Sequence, residues 1–114
     1  MTPLNHTPNG RLAFCKCCDC YQLEFGNILT TFSKKDYIIF KNHINNIDAE
    51  ICIQKNKHFS SKRKIFVAFT DKFYFSLTPD ELEELKILLQ LKKYSYNSCS
   101  CQKQLIIKEN INPN

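Results

Sequence analysis

The order of strand-like and helix-like segments constrains the fold of this chain more than any other feature. Residues 21–25 alternate between apolar and polar side chains, which predicts a half-buried strand. Gly26-Asn27 is typical of a two-residue hairpin turn, and residues 28–32 supply the return strand. Apolar residues then recur at spacings of three and four, which predicts a helix over residues 34–47 with Ser33 as its N-cap. The first part of the chain is therefore a ββα unit.

A second unit of the same kind follows 45 positions later. Residues 64–69 and 73–77 are rich in β-branched and aromatic side chains, which predicts two more strands. The segment Thr78-Pro79-Asp80-Glu81 combines an N-cap threonine, a proline at the first helical position and a glutamate at the third. This capping box predicts a helix that runs to about residue 91. Its residues Glu83 and Glu84 are expected to face water.

Two ββα units predict an α+β domain, with a four-stranded antiparallel sheet and both helices on one face. The 114 residues provide one core rather than two, so residues 11–91 are expected to form a single domain. Residues 1–10 are polar and turn-rich and are predicted to be a flexible arm, and residues 92–114 are predicted to be a C-terminal tail. The predicted core consists of the inward apolar residues: Tyr21 or its neighbours Leu23 and Phe25, then Ile28, Phe32, Phe40, Ile44, Ile65, Val67, Phe69, Phe73, Phe75, Leu77, Leu82, Leu85 and Leu89.

A segment of six residues directly before the first strand holds four of the seven cysteines: Cys15-Lys16-Cys17-Cys18-Asp19-Cys20. The cysteine count is odd, the N-terminus shows no export signal, and neighbouring thiols in such a run pair poorly with each other, so reduced thiols are favoured over disulfides. The pairs Cys15 with Cys18 and Cys17 with Cys20 both have the C-x-x-C spacing that lets two sulfurs bind one metal ion. We interpret this segment, the Cys turn, as metal-binding.

Structural zinc is the expected cofactor, and it requires four ligands. The preferred ligands are two cysteines of the Cys turn and two of the tail, which would tie the C-terminal tail to the turn: Cys15, Cys18, Cys99 and Cys101. The alternate ligands are Cys17, Cys20, His6 and Cys52. Soft thiolates also bind Cu(I) or an iron–sulfur cluster, so zinc is not the only metal that these cysteines could bind. The other interpretation is a surface turn that binds no metal.

The sequence predicts a protein that is not an enzyme. A thioredoxin-like C-x-x-C begins a helix, whose N-terminus lowers the thiol pKa, whereas these cysteines lead into a strand, so a thiol redox protein is the weaker alternative. The three histidines form no recognisable dyad with a cysteine, and the two glycines of the chain are too few for a glycine-rich phosphate loop. No apolar run approaches the length of a membrane-spanning helix, and we expect the protein in the cytoplasm, without a membrane or small-molecule partner.

Basic residues are concentrated in one loop, between Ile51 and Thr70, where no Asp or Glu occurs: Lys55, Lys57, Lys62, Arg63 and Lys64. In the predicted sheet, Phe66, Tyr74 and Leu29 share the face opposite the helices. Such a face most often contacts a protein partner or a second copy, so protein interaction or dimerisation is the predicted role. Nucleic-acid binding is the alternative, since single-strand binders combine basic loops with aromatic side chains on a sheet. The candidate partner-binding residues are Lys62, Arg63, Lys64, Phe66 and Tyr74.

Four short motifs follow one another in this chain: the pair Cys15 and Cys18, the Y-x-L-x-F-x-N pattern of residues 21–27, the K-R-K-I segment of residues 62–65, and the leucine-rich residues 82–89. In this succession the chain resembles a family of small bacterial proteins of unknown function, over roughly residues 12–91. The resemblance implies a metal-type cysteine pair and a compact domain, and it implies no activity. Four other cysteines lie outside the pattern of that family: Cys17, Cys20, Cys99 and Cys101.

Overall fold

The computed structural model describes residues 1–68 and 72–95. Four strands come first, β1 (Thr2–Thr7), β2 (Gly10–Cys15), β3 (Cys20–Phe25) and β4 (Ile28–Ser33), and they form one antiparallel sheet in the order of the sequence. Two helices follow, α1 (Lys34–Asn45) and α2 (Ala49–Lys55). Strands β5 (Ile65–Ala68) and β6 (Tyr74–Leu77) pair as a separate two-stranded ribbon, and α3 (Pro79–Leu89) comes last among the described elements. None of the helices in the described ranges is long and apolar enough to cross a membrane.

The α+β class and the four-stranded antiparallel sheet are confirmed, but the sheet contains different strands from those predicted. Sequence analysis joined the β3–β4 hairpin to the β5–β6 hairpin, whereas β1 and β2 complete the sheet in the structure. The prediction of a flexible arm over residues 1–10 is wrong for β1. The strand escapes pattern analysis because its residues, mostly polar, lack the alternation of a half-buried strand, and its register shifts between Pro3 and Asn5.

Both long helices begin at the predicted N-cap residues, Ser33 and Thr78. The Ser33 hydroxyl accepts the backbone N–H of Asp36 at 3.1 Å, which satisfies one of the free amides in the first turn of α1. Thr78 and Glu81 form the predicted capping box of α3. The hairpin turn between β3 and β4 is also as predicted, with Gly26 at φ 62°, where glycine carries no steric cost. These features need no tertiary contact, and the sequence predicts them well.

The core lies between alternate residues of the four-stranded sheet, the buried faces of α1 and α3, and the inner side of the ribbon. Its members are Leu12, Leu23, Phe25, Tyr37, Phe40, Ile44, Ile65, Val67, Phe75, Leu77, Leu82, Leu85, Leu88 and Leu89. Tyr21 and Phe32 pack against it while partly buried. Two predicted core residues, Ile28 and Phe73, are instead 42% and 68% exposed, and Phe69 lies outside the described residues. Leu12 is absent from the predicted core, because residues 11–14 are a short segment without the alternation that predicts a half-buried strand.

Glu84 is buried, with 6% of its surface exposed, so the prediction that it faces water is wrong, whereas Glu83 beside it is exposed. The Thr7 hydroxyl donates to Oε2 of Glu84 at 2.5 Å, and the backbone N–H of Asn9 donates to the same oxygen at 2.7 Å. The side-chain amide of Asn9 donates to Oε1 at 3.0 Å. These hydrogen bonds attach the β1–β2 turn to α3, and they compensate for the burial of the carboxyl group.

A buried phenol connects α1 to the end of α3. The hydroxyl of Tyr37 donates to the backbone carbonyl of Leu89 at 2.6 Å, and the ring stacks on Tyr21 with centroids 4.0 Å apart. Burial, and to a smaller extent the neighbouring Tyr21, raises the pKa of Tyr37 to about 12. The neutral phenol is therefore the form that the folded protein favours.

We expect a loss of stability in alkali that depends on Tyr37. The ordinary pKa of tyrosine is 10.0, so above pH 10 the unfolded chain releases this proton while the folded chain keeps it. The contribution of Tyr37 is complete below pH 10, and it falls by up to about 1.4 kcal/mol per pH unit as the pH rises towards 12. Urea unfolding of the wild type and of Tyr37→Phe between pH 8 and 11.5 measures this. The stability difference between them should shrink with pH, and a constant difference would contradict the assignment.

Candidate metal centre

The Cys turn forms the connection between β2 and β3. Cys15 and Cys20 are the last residue pair of the two strands, and residues 16–19 make the loop between them. Asp19 adopts a left-handed conformation with φ 55°, and its carboxylate lies 3.3 Å from the Lys34 ammonium at the start of α1. Because side chains alternate along a strand, and the neighbouring Tyr21 packs against the core, Cys15 and Cys20 point to the opposite face of the sheet.

The Cys18 thiol interacts with the sulfurs of two other cysteines of the turn, Cys15 and Cys20. The Cys15 sulfur accepts hydrogen bonds from the backbone N–H of Cys18, from the Cys18 thiol and from the backbone N–H of Cys17, and these lower the pKa of Cys15. The pKa of Cys18 is raised, first because its thiol donates to Cys15 and then because the sulfurs of Cys15 and Cys20 place negative charge close to it. Cys15 therefore loses its proton more readily than Cys18, and a bound metal ion would favour the deprotonated form of both.

Of the two predicted C-x-x-C pairs, the structure brings Cys15 and Cys18 into contact and aims two backbone amides at Cys15. Such hydrogen bonds stabilise a thiolate and fix its orientation, which are the two requirements for a thiolate ligand. Cys18 also contacts Cys20, so that Cys18 lies between two other sulfurs. Within residues 1–68 and 72–95, no group of three or more His, Cys, Asp or Glu side chains is arranged to hold a metal ion.

The remaining candidate ligands lie elsewhere. His6 is exposed on β1 opposite Arg11, which is four residues from Cys15, about 13 Å at the rise of a strand. Cys52 is half-buried on α2, where it packs against the core, and this helix contacts β5. Cys99 and Cys101 lie outside the described residues. The described chain therefore contributes the Cys turn alone to the predicted centre.

The predicted partner surface is divided in the structure. Phe66 and Tyr74 share the outward face of the β5–β6 ribbon, but Leu29 belongs to β4 of the other sheet, so the continuous face expected from one sheet does not form. Arg63 is bound to Glu81 by two hydrogen bonds, Nε to Oε1 at 3.2 Å and Nη2 to Oε2 at 3.1 Å. A partner surface that includes Phe66 and Tyr74 is therefore smaller than predicted and is confined to the β5–β6 ribbon.

The chain is similar to other proteins over nearly its whole length. The model of a family of unknown function, DUF6686, matches residues 1–112. The chain belongs to this family. The match confirms the resemblance to an uncharacterised family, and it extends to both sides of residues 12–91. No curated protein and no solved structure is similar enough to count as a match.

Two features of this DUF6686 member were missed by sequence analysis. Phe59, in a segment otherwise polar, packs edge-to-face on Phe66 with ring centroids 5.2 Å apart. The backbone N–H groups of Cys17 and Cys18 support Cys15, and the choice between the two C-x-x-C pairs depends on them. The first carries no sequence signal, since a single aromatic residue in a loop has no periodicity. The second follows from the backbone path of the turn, which spacing alone leaves undetermined.

Proposed function

We propose that this chain is a small non-catalytic domain whose Cys turn binds a structural metal ion, with zinc as the expected ion. Cys15 and Cys18 supply the first two ligands. The observation that carries the proposal is the pair of backbone amides, from Cys17 and Cys18, that donate to the Cys15 sulfur while the Cys18 thiol contacts it. Soft thiolates held in this way suit zinc and other thiophilic ions.

The two remaining ligands are proposed to be Cys99 and Cys101 of the C-terminal tail. The side chain of Asn5 donates to the carbonyl of Lys92 at 2.9 Å, which places the start of the tail beside β1. Asn5 lies opposite Leu12, and Cys15 is three residues further along β2, about 10 Å away. The seven residues from Lys92 to Cys99 can span up to about 24 Å. The chain is therefore long enough for the tail cysteines to reach the Cys turn.

The proposed role of the domain is protein interaction or dimerisation in the cytoplasm. Large apolar side chains are exposed on two elements that contact each other, Ile28 and Leu29 on β4 and Ile38 and Ile39 on α1. Strand β4 lies at the edge of the sheet, and its sequence has neither a charge nor a proline to discourage pairing. Exposed apolar residues grouped in this way favour a protein partner over solvent.

Metal analysis tests the centre. Protein purified without a chelator is expected to hold one zinc ion per chain and to protect four thiols from a thiol reagent, and a chelator should lower its unfolding temperature, because metal binding contributes to folding. The double variant Cys15→Ser with Cys18→Ser should lose the metal, as should Cys99→Ser with Cys101→Ser. Cys52→Ser is the matched control, since that thiol lies on α2, and it should retain the metal.

Two outcomes would overturn this assignment. The first is a wild-type protein that contains no metal and unfolds at the same temperature with and without chelator. Its native form would also react with the thiol reagent at as many thiols as its denatured form. The second is a metal content that survives the loss of Cys15 and Cys18. Retention of metal in the tail variant alone would keep the Cys turn as the centre and exclude Cys99 and Cys101 as its ligands.

A further inference from the structure

The net charge of this protein arises from one segment. The chain has 16 basic and 11 acidic residues, a formal net charge of +5. Residues 51–68 contain five of the basic residues and no acidic ones, so the other parts of the chain have 11 of each and balance to zero. The excess of positive charge is therefore concentrated in residues 51–68, and such a concentration attracts an anionic partner.

Contacts with the ribbon hold this cationic segment in place. The Ser76 hydroxyl, on the outward face of β6, donates to the backbone carbonyl of Arg63 at 3.0 Å, so residue 63 lies at the rim of that face. The Lys64 ammonium donates to the backbone carbonyl of Lys57, a neutral acceptor, at 3.3 Å. Since the Arg63 guanidinium is neutralised by Glu81, the lysines supply the net positive charge beside the ribbon.

Aromatic rings lie next to these lysines. Phe66 is opposite Ser76 and Tyr74 is opposite Ala68, so the two rings are diagonal neighbours on the outward face, separated by small side chains. Tyr74 is 62% exposed. Phe59 supports the edge of Phe66 and is itself exposed. The outward face of the ribbon is thus a shallow platform with accessible rings and a cationic rim.

We propose that the outward face of the β5–β6 ribbon binds single-stranded nucleic acid. The lysines at positions 57, 62 and 64 contact phosphates, and Phe66 and Tyr74 stack on unpaired bases. Charge complementarity favours a polyanion over a protein surface of mixed charge. Single strands are favoured over duplex because bases must be unpaired and splayed to expose their faces to rings on a flat ribbon. This function is additional to the metal centre and does not depend on it.

Fluorescence anisotropy with a labelled single-stranded oligonucleotide tests the proposal on the full chain. Wild-type affinity should fall with salt, with a slope in log–log form of about −0.7 for each phosphate contact. Changing Lys57, Lys62 and Lys64 to Gln should lower the affinity and reduce that slope by about 2. Phe66→Ala and Tyr74→Ala should each weaken binding roughly tenfold and leave the salt slope unchanged, because stacking releases no counterions.

Matched controls separate a site from general charge. Lys35→Gln with Lys92→Gln removes two exposed lysines elsewhere, and Leu29→Ala shortens an exposed apolar side chain on the other sheet. Both should bind the oligonucleotide as the wild type does. Circular dichroism and thermal unfolding would check that every variant is folded. In competition experiments, unlabelled duplex should displace the labelled oligonucleotide less effectively than the unlabelled single strand does.

Three results would overturn the proposal. Wild-type protein that binds no oligonucleotide at low salt excludes the site. Equal losses in the ribbon lysine variant and in the Lys35 and Lys92 control indicate non-specific attraction. Phe66→Ala and Tyr74→Ala variants that dissociate a self-associated wild type, yet bind the oligonucleotide with unchanged affinity, assign the ribbon face to a protein contact instead. At a temperature where circular dichroism shows them to be folded, the serine variants of Cys15 and Cys18 should bind the oligonucleotide as the wild type does, which keeps this test independent of the metal centre.

Discussion

Replacing Glu84 with alanine is expected to lower the free energy of unfolding by about 3 kcal/mol. The variant loses the acceptor for the hydroxyl of Thr7 and for the two N–H donors of Asn9, and these groups remain next to α3 with no partner. Denaturant unfolding followed by circular dichroism measures the loss. Hydrogen exchange should show, in addition, faster exchange at the C-terminal end of β1, because Thr7 loses its hydrogen bond to α3.

Glu83→Ala provides the control for this prediction. Glu83 is the neighbour of Glu84 on the same helix and is exposed, so its replacement should change the stability by less than about 0.5 kcal/mol. Glu84→Gln is informative as well, since it keeps the shape of the side chain but places an amide N–H where a donor already points. Equal effects of Glu83→Ala and Glu84→Ala would show that the carboxyl of Glu84 does not hold the β1–β2 turn.

Leu12→Ala is expected to cost about 2–5 kcal/mol of stability. Leu12 is 1% exposed, at the centre of β2, with Asn5 of β1 on one side and Leu23 of β3 on the other. Truncation leaves a cavity between the sheet and α3, which contacts β2 directly. Chemical denaturation of the variant, compared with the wild type at the same pH, checks the value.

Leu29→Ala removes the same atoms from a leucine that is 63% exposed on β4, and it should change the stability by less than about 0.5 kcal/mol. The contrast between two identical substitutions in neighbouring parts of one sheet isolates burial as the cause. A loss for Leu12→Ala as small as that for Leu29→Ala would mean that β2 is not an interior strand of the sheet.

Much of the local structure was predictable from the sequence. The β3–β4 hairpin follows from alternation and a Gly-Asn turn, and both long helices begin at the predicted caps, Ser33 and Thr78. These are short-range effects, in which a side chain bonds to the backbone two or three residues away. The position of the Cys turn was likewise predictable, since the alternating strand pattern begins directly after its six residues.

Partners that lie far apart in the sequence were less predictable. Strand β1 is mostly polar, and its contacts with α3 are distant in sequence: Thr7 donates to Glu84, 77 residues away, and Asn5 donates to the carbonyls of Ile87 and Leu88. Periodicity identifies Glu84 as a helical residue but cannot identify a buried carboxyl whose partners come from a distant turn. The separation of the β5–β6 ribbon from the main sheet has a similar origin, because β2 rather than β5 pairs with β3.

By itself, the sequence determined where the two long helices and the β3–β4 hairpin begin, several of the apolar residues of α1 and α3 that face inwards, and that one loop carries the positive charge, because each of these depends on neighbours within a few positions. The tertiary structure alone decided which strands share a sheet, that Glu84 is buried, that Cys15 and Cys18 are the thiol pair supported by amides, and that Phe59 and Phe66 meet beside the lysines. The physical reason is that these arrangements arise from contacts between segments separated in sequence, or from the backbone path of a turn, and residue type and spacing leave both open.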